Sequence, residues 1–112
     1  MSPKSSLGEF EHHVLLVALR LGDDAYTTSI LTELEARTGR EGSAAAVYIA
    51  LRRLEAAGMV KSRMRESSER GERRERRYVR VTPQGVALAR EARNRLLNLW
   101  DGLTAVTGGK HA

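Results

Sequence analysis

The chain has 112 residues, 41% of them hydrophobic and 29% charged, which fits one compact domain around one core and is too apolar for a wholly disordered chain. It has no cysteine, which excludes disulfides, thiolate zinc sites, iron–sulfur clusters and cysteine nucleophiles together. The net charge of +5 is concentrated in residues 61–80, where nine basic side chains (Lys61, Arg63, Arg65, Arg70, Arg73, Arg74, Arg76, Arg77, Arg80) face four acidic ones (Glu66, Glu69, Glu72, Glu75), leaving the rest neutral. Such a basic projection suits a polyanion, although a solvated charge-rich loop has the same composition.

Residues 1–6 are polar and without period, so they read as a disordered arm. From Leu7 to Leu21 the residues Phe10, Val14, Val17 and Leu21 recur at helical spacing. Leu15, Leu16 and Leu19 make that helix apolar on nearly every side, so one of its two faces is assigned either to internal core or to a partner subunit. Its longest apolar run, Val14 to Leu19, is far below the roughly 20 residues of a membrane helix, and the N-terminus lacks a signal-peptide pattern. The expectation is a soluble cytoplasmic protein with no membrane partner.

Gly22-Asp23-Asp24 breaks the chain, and a second helix begins at Thr27 or Thr28, turns Ile30, Leu31 and Leu34 inward and ends at Gly39. Ser43 is a good N-cap for a third helix running to Ala57, with Gly58 as its terminal glycine. Two short helices joined by a glycine-containing turn have the layout of a helix-turn-helix. Val60, Ser62 and Met64 then alternate with Lys61, Arg63 and Arg65, the period of a strand with one basic face, and a second strand follows at Arg77 to Val81. The eleven residues between, Glu66 to Arg76, read as a solvated hairpin tip. Thr82 and Pro83 cap and begin a last helix. Along it Ala92, Leu96, Leu99, Leu103 and Val106 advance at the spacing of a coiled-coil seam, interrupted by Gly102. Residues 108–112 read as a disordered tail.

The expected fold is mainly α with a small β-hairpin: a winged helix-turn-helix over residues 7–81, followed by a C-terminal dimerisation helix over 82–107. In the third helix Val47, Ala50, Leu51 and Leu54 share one side and face the core. Ala45, Tyr48, Ile49, Arg52 and Ala56 fall on the opposite arc, with Arg53 at its edge. Exposed tyrosine and isoleucine beside arginine suit a DNA major groove, where arginine bridges guanine or phosphate and apolar groups touch thymine methyls. The helix start at Ser43 offers backbone N–H groups to a phosphate. In the wing, interleaved glutamates prevent all nine basic groups from reaching DNA, so Lys61, Arg63, Arg74, Arg76 and Arg77 are favoured over Arg70.

Signals for catalysis are thin. His12, His13 and His111 lack the spacing of a metal motif, Glu9 and His13 being a single pair, and neither a phosphate-binding glycine loop nor a nucleophile elbow occurs. No enzyme activity, metal or cofactor is expected.

Leu7-Gly8-Glu9-Phe10-Glu11, Asp24-Ala25-Tyr26, Ala46-Val47-Tyr48, Arg52-Arg53-Leu54-Glu55 with Gly58, Arg77-Tyr78, and Val81-Thr82-Pro83-Gln84-Gly85 together resemble the PadR family of bacterial transcriptional regulators, over about Leu7 to Leu103. Thr27 and Ala45 depart from the small residue and the glycine common there. The resemblance implies a homodimeric winged helix-turn-helix repressor whose last helix makes the dimer. Phe10 and Val14 of the first helix and Ala92, Leu96, Leu99 and Leu103 of the last are taken as dimer contacts. It also implies that Trp100 meets a planar aromatic or lipophilic effector between subunits, although tryptophan is favoured at interfaces regardless of ligands. The expected function is ligand-responsive repression at a pseudo-palindromic double-stranded operator. A winged-helix protein-interaction adaptor that does not bind DNA specifically is the alternative. A small RNA-binding module fits less well, since four Tyr and Phe residues (Phe10, Tyr26, Tyr48, Tyr78) form no ladder for stacking unpaired bases.

Overall fold

A computed structural model describes residues 7–69 and 71–103. The expected N-terminal arm and C-terminal tail, Arg70, Val106 and His111 lie outside the described residues. In chain order the elements are α1 (Glu9–Leu21), a 3-10 turn (Gly22–Asp24), α2 (Thr27–Thr38), α3 (Ala44–Ala56), β1 (Val60–Glu69), β2 (Glu72–Val81) and α4 (Pro83–Trp100). This is a winged helix with a C-terminal helix appended.

The local signals at most helix ends act as the sequence implies. Ser43 Oγ accepts from Ala46 N at 3.1 Å to start α3, and Thr82 Oγ1 accepts from Gly85 N at 3.0 Å to start α4 behind Pro83. Gly39, at φ 72° and ψ 12°, closes α2 in the left-handed conformation that glycine adopts without a Cβ clash. The second helix begins at Thr27, as expected, but neither threonine caps it. Tyr26 is the extended N-cap, and its N–H donates to Ser29 Oγ, 3.0 Å away, while the Ser29 hydroxyl donates to Asp24 O at 2.7 Å. The cap is thus built from the third helical residue backwards, not from Thr27 or Thr28.

Val14, Leu15, Ile30, Val47, Leu54, Met59 and Val60 form the fully buried centre, with Val17, Ala50, Leu51 and Val79 around them. Val14 is 0% exposed, so it belongs to the chain's own core and offers nothing to a partner. The arc of α1 left uncovered carries Leu16 and Leu19 instead.

The hairpin is longer than the sequence suggests. β1 and β2 pair without interruption from Val60↔Val81 to Glu69↔Glu72, so Glu66–Glu69 and Glu72–Arg76 are ladder rather than loop, and Gly71 at φ 80° helps turn the chain. Strand pairing is made by backbone N–H and C=O groups, so a charged segment held in solvent extends a ladder once its base is anchored. The anchor comes from outside the hairpin: Val79 N donates to Ala25 O at 2.9 Å, tying β2 to the segment before α2.

The last helix is shorter than its leucine spacing suggests. Gly102 sits at φ 84°, so it follows the end of the helix at Trp100, and Leu103 lies beyond it with its N–H on Trp100 O at 2.9 Å. At the other end α4 touches the core so closely that Gly85 has no room for a side chain. A Cβ there would overlap the Met59 carbonyl oxygen and stand 2.8 Å from Val81 Cγ1.

Candidate nucleic-acid interface

The core side of α3 is the expected one: Val47, Ala50, Leu51 and Leu54 are buried. Its other side is open, with Ala45, Arg52, Arg53 and Ala56 exposed, Tyr48 43% and Ile49 50% exposed. Tyr48 and Arg52, one turn apart, are joined: Arg52 Nη1 donates to Tyr48 Oη at 3.0 Å, with the guanidinium carbon 5.8 Å from the ring centroid. That pairing holds a flexible side chain in one pose on the outer face. Arg53 leans toward α1, its Nη1 3.7 Å from Glu11 Oε2.

The ladder register sorts the wing's cations in a way that chain order hides. Directly opposed residues share a face and successive residues alternate, so Lys61/Arg80, Arg63/Tyr78, Arg65/Arg76 and Ser67/Arg74 form one face. Ser62/Val79, Met64/Arg77 and Glu66/Glu75 form the other. Of the five favoured cations, Lys61, Arg63, Arg74 and Arg76 therefore stand together, while Arg77 lies on the opposite face, which turns toward α3.

The first face is clasped to the turn between α1 and α2. Asp23 takes an ion pair from Arg80 and another from Arg63 at 3.9 Å, and Asp24 faces Arg65 at 3.9 Å. The hydrogen bond from Arg80 holds the Asp23 carboxyl below the usual carboxylate range. Two tyrosines interleave with these arginines. Tyr26 and Tyr78 meet edge to face at 5.3 Å. The guanidinium carbon of Arg65 lies 3.8 Å from the Tyr78 centroid, and that of Arg76 4.2 Å from the Tyr26 centroid. Tyr78 is buried, and its polar neighbours, Arg65 first and then Arg76 and Ser67, hold its hydroxyl below the ordinary phenol range. Sequence reading missed Arg65, Arg80 and this tyrosine pair. The signal was present in the two-residue period, but only the pairing register brings the members of the two strands together.

Along α4 the stripe that packs against the core at Gly85 and Ala89 continues through half-buried Ala92 to Leu96, Leu99 and Trp100, which are exposed. Leu99 is 73% exposed. Nearby, His12 of α1 has a buried Nε2 without a hydrogen-bond partner among the described residues, and burial pushes its imidazole below the ordinary value. Phe10 borders a cavity of about 270 Å³ with His13 and Leu34. Among the described residues no group of three or more histidine, aspartate or glutamate side chains is placed to hold a metal, and no helix is long and apolar enough to cross a membrane.

Three helices, a hairpin and an open, arginine-bearing third helix define the winged-helix class of transcription regulators. Within that class the Transcriptional regulator PadR-like family matches residues 15–91, and the chain belongs to this family. A PadR family transcriptional regulator from Eggerthella lenta is 29% identical, with 80% of this chain and 76% of that chain covered and a TM-score of 0.62. A PadR-like transcription factor from Bacteroides fragilis shares the fold at 18% identity, covering 88% of this chain and 89% of that one with a TM-score of 0.66. A PadR family transcription regulator from Clostridium difficile does so at 19% identity, 83% and 94% coverage and a TM-score of 0.63. No curated protein matches the chain.

Proposed function

We propose that the protein is a sequence-specific repressor that binds a pseudo-palindromic operator as a homodimer. The observation that carries this reading is the outer face of α3, where Ala45, Tyr48, Ile49 and Arg52 are exposed beside a basic hairpin. In a major groove Arg52 reads a guanine edge or grips a phosphate, Ile49 and Ala45 meet thymine methyls, and the N-terminus of α3 at Ser43 meets a phosphate. Lys61, Arg63, Arg74 and Arg76 on one wing face and Arg77 on the other run beside the backbone.

The uncovered stripe of α4 supports the homodimer, with Leu96, Leu99 and the neighbouring Leu103 against a second copy and Phe10, Leu16 and Leu19 adding to its edge. Half-exposed Trp100 at the end of that stripe is the contact we assign to a planar aromatic or lipophilic effector. A ligand that prefers the pairing with wrongly spaced reading helices releases DNA by linkage. The cytoplasm is the compartment this function needs.

Selection of bound sites from random duplexes tests the reading. Two-fold related helices in successive major grooves give half-sites about 10 base pairs apart, and Arg52→Ala separates the two roles given to that residue: preference flattened at one position marks a guanine contact, an equal loss on every sequence a phosphate grip. Recovery of no preferred sequence rejects the proposal in favour of the protein-interaction adaptor. Titration of phenolic acids and planar cations tests the effector, since stacking on Trp100 quenches the chain's only tryptophan.

A further inference from the structure

The arginines of the wing and of α3 are held in two chemically different ways. Arg63, Arg65, Arg73 and Arg80 each meet a carboxylate within ion-pair distance, which neutralises as it orients. Arg52 and Arg77 are held by hydroxyl groups: Arg52 by Tyr48, and Arg77 by Ser62, whose Oγ accepts from Nη1 at 2.9 Å. A hydroxyl fixes a guanidinium without cancelling its charge. These two arginines come from different elements yet line one cleft of about 300 Å³, together with Glu55 and Ala56, at the junction of α3 with the wing.

Glu55 is the one carboxylate of that cleft, and Ser62 occupies it. The Ser62 hydroxyl donates to Glu55 Oε2 at 2.8 Å while accepting from Arg77, so its single proton and one lone pair are both used. The serine thereby joins α3 to β1 and, through Arg77, to β2. Neither Arg52 nor Arg77 makes an ion pair among the described residues, although Glu55 is close enough to act on Arg52 through its charge.

We propose that Arg52 and Arg77 close on one backbone phosphate of the bound duplex in this cleft, and that Ser62 is the positioning residue that sets Arg77 for it. The inference rests on the DNA-binding reading above and adds a site to it. A planar guanidinium from each side matches the tetrahedral oxygens of a phosphate, and each such contact is charge-assisted. Ser62 itself touches no DNA. It keeps Glu55 turned to the hydroxyl rather than to Arg77, and so keeps the arginine's charge for the ligand.

Salt dependence distinguishes this role from a structural one, because it counts phosphate contacts rather than stability. The measurement is fluorescence anisotropy of the selected operator duplex with the full-length chain over a range of salt concentrations. Arg77→Ala is expected to lower the slope of log affinity against log salt by up to about 0.9 per subunit, Arg52 remaining on the shared phosphate. Ser62→Ala removes no charge, yet it is expected to lower the slope in the same direction and weaken binding about fivefold. Ser62→Thr, which keeps the hydroxyl, should restore both, and the double variant S62A/R77A should match R77A alone, because the serine acts through the arginine. A wild-type slope in S62A, or additive losses in the double variant, overturns the proposal. Absence of salt-dependent binding by the unaltered chain instead removes the DNA reading on which it stands.

Discussion

Alanine at position 85 is expected to destabilise the fold by about 2–4 kcal/mol, despite alanine being the better helix former. The added methyl would overlap the Met59 carbonyl oxygen, stand 2.8 Å from Val81 Cγ1 and stand 3.1 Å from the Met59 carbonyl carbon. Two of these atoms are backbone, so no rotamer change relieves the clash. The start of α4 must instead move back by about 1 Å to restore ordinary contact. That movement stretches the bonds that seat it, Thr82 N to Met59 O at 2.9 Å and Thr82 Oγ1 to Gly58 O at 2.7 Å. Overpacking costs about 1–3 kcal/mol, and two weakened hydrogen bonds add about 1 kcal/mol each. The helical preference for alanine returns less than about 1 kcal/mol, so the clash wins. Urea denaturation followed by circular dichroism measures the difference, and the thermal midpoint should fall by about 10–20 °C. Gly71→Ala is the comparison: Gly71 has φ 80°, and a Cβ added there would meet nothing within 4 Å, so only the left-handed strain of about 1–2 kcal/mol remains. A Gly85→Ala protein within about 0.5 kcal/mol of the parent would refute the close approach of α4 to Met59.

Leu99→Asp should leave the melting of the single chain nearly intact, because Leu99 is exposed within it, while abolishing dimers by burying an uncompensated carboxylate in each subunit; sedimentation showing dimers at micromolar concentration would reject the α4 seam. Asp23→Asn with Asp24→Asn releases Arg63, Arg65 and Arg80 from their carboxylates, so affinity for random duplex should rise and its salt slope steepen; an unchanged slope would mean these arginines never reach phosphate. Stability should fall with acidity through His12. Burial, with His13 next, holds its folded-state pKa below the ordinary imidazole value, so the unfolded chain binds more protons between the two values. Folding free energy is then lost as pH drops below about 6.5 and levels off beneath the folded-state value. Urea midpoints across that window check it, and His12→Gln should remove this part of the pH dependence.

The features legible in the sequence are those whose cause is local. Ser43, Gly39, Gly58 and the Thr82-Pro83 pair mark helix ends because each acts within one turn of itself, and the core arc of α3 follows from periodicity alone. The ladder between Glu66 and Arg76 is invisible to a search for apolar alternation, because it is backbone pairing anchored elsewhere, at Val60, Val79 and Ala25. Arg76 and Arg77 are neighbours in the chain and belong to opposite faces, a separation that only the register fixes. The assignment of Val14 to a partner fails because α1 is apolar almost all round, and periodicity cannot say which arc the chain itself covers. The leucine spacing of α4 carries on past Gly102, but a left-handed glycine follows the end of the helix whatever the side-chain pattern beyond it.

Under the proposed homodimer, the stripe of α4 that begins in the core at Gly85 and Ala89 and runs out to Leu99 and Trp100 makes completion of the molecule a second-order event. With a second copy covering that stripe, the concentration of competent regulator rises with the square of chain concentration when the protein is scarce, and its fraction in simple proportion. Residues 96–100 then act as a dosage setting. Altering their apolar area would shift the abundance at which the proposed repression begins and leave the sequence proposed to be read by α3 unchanged.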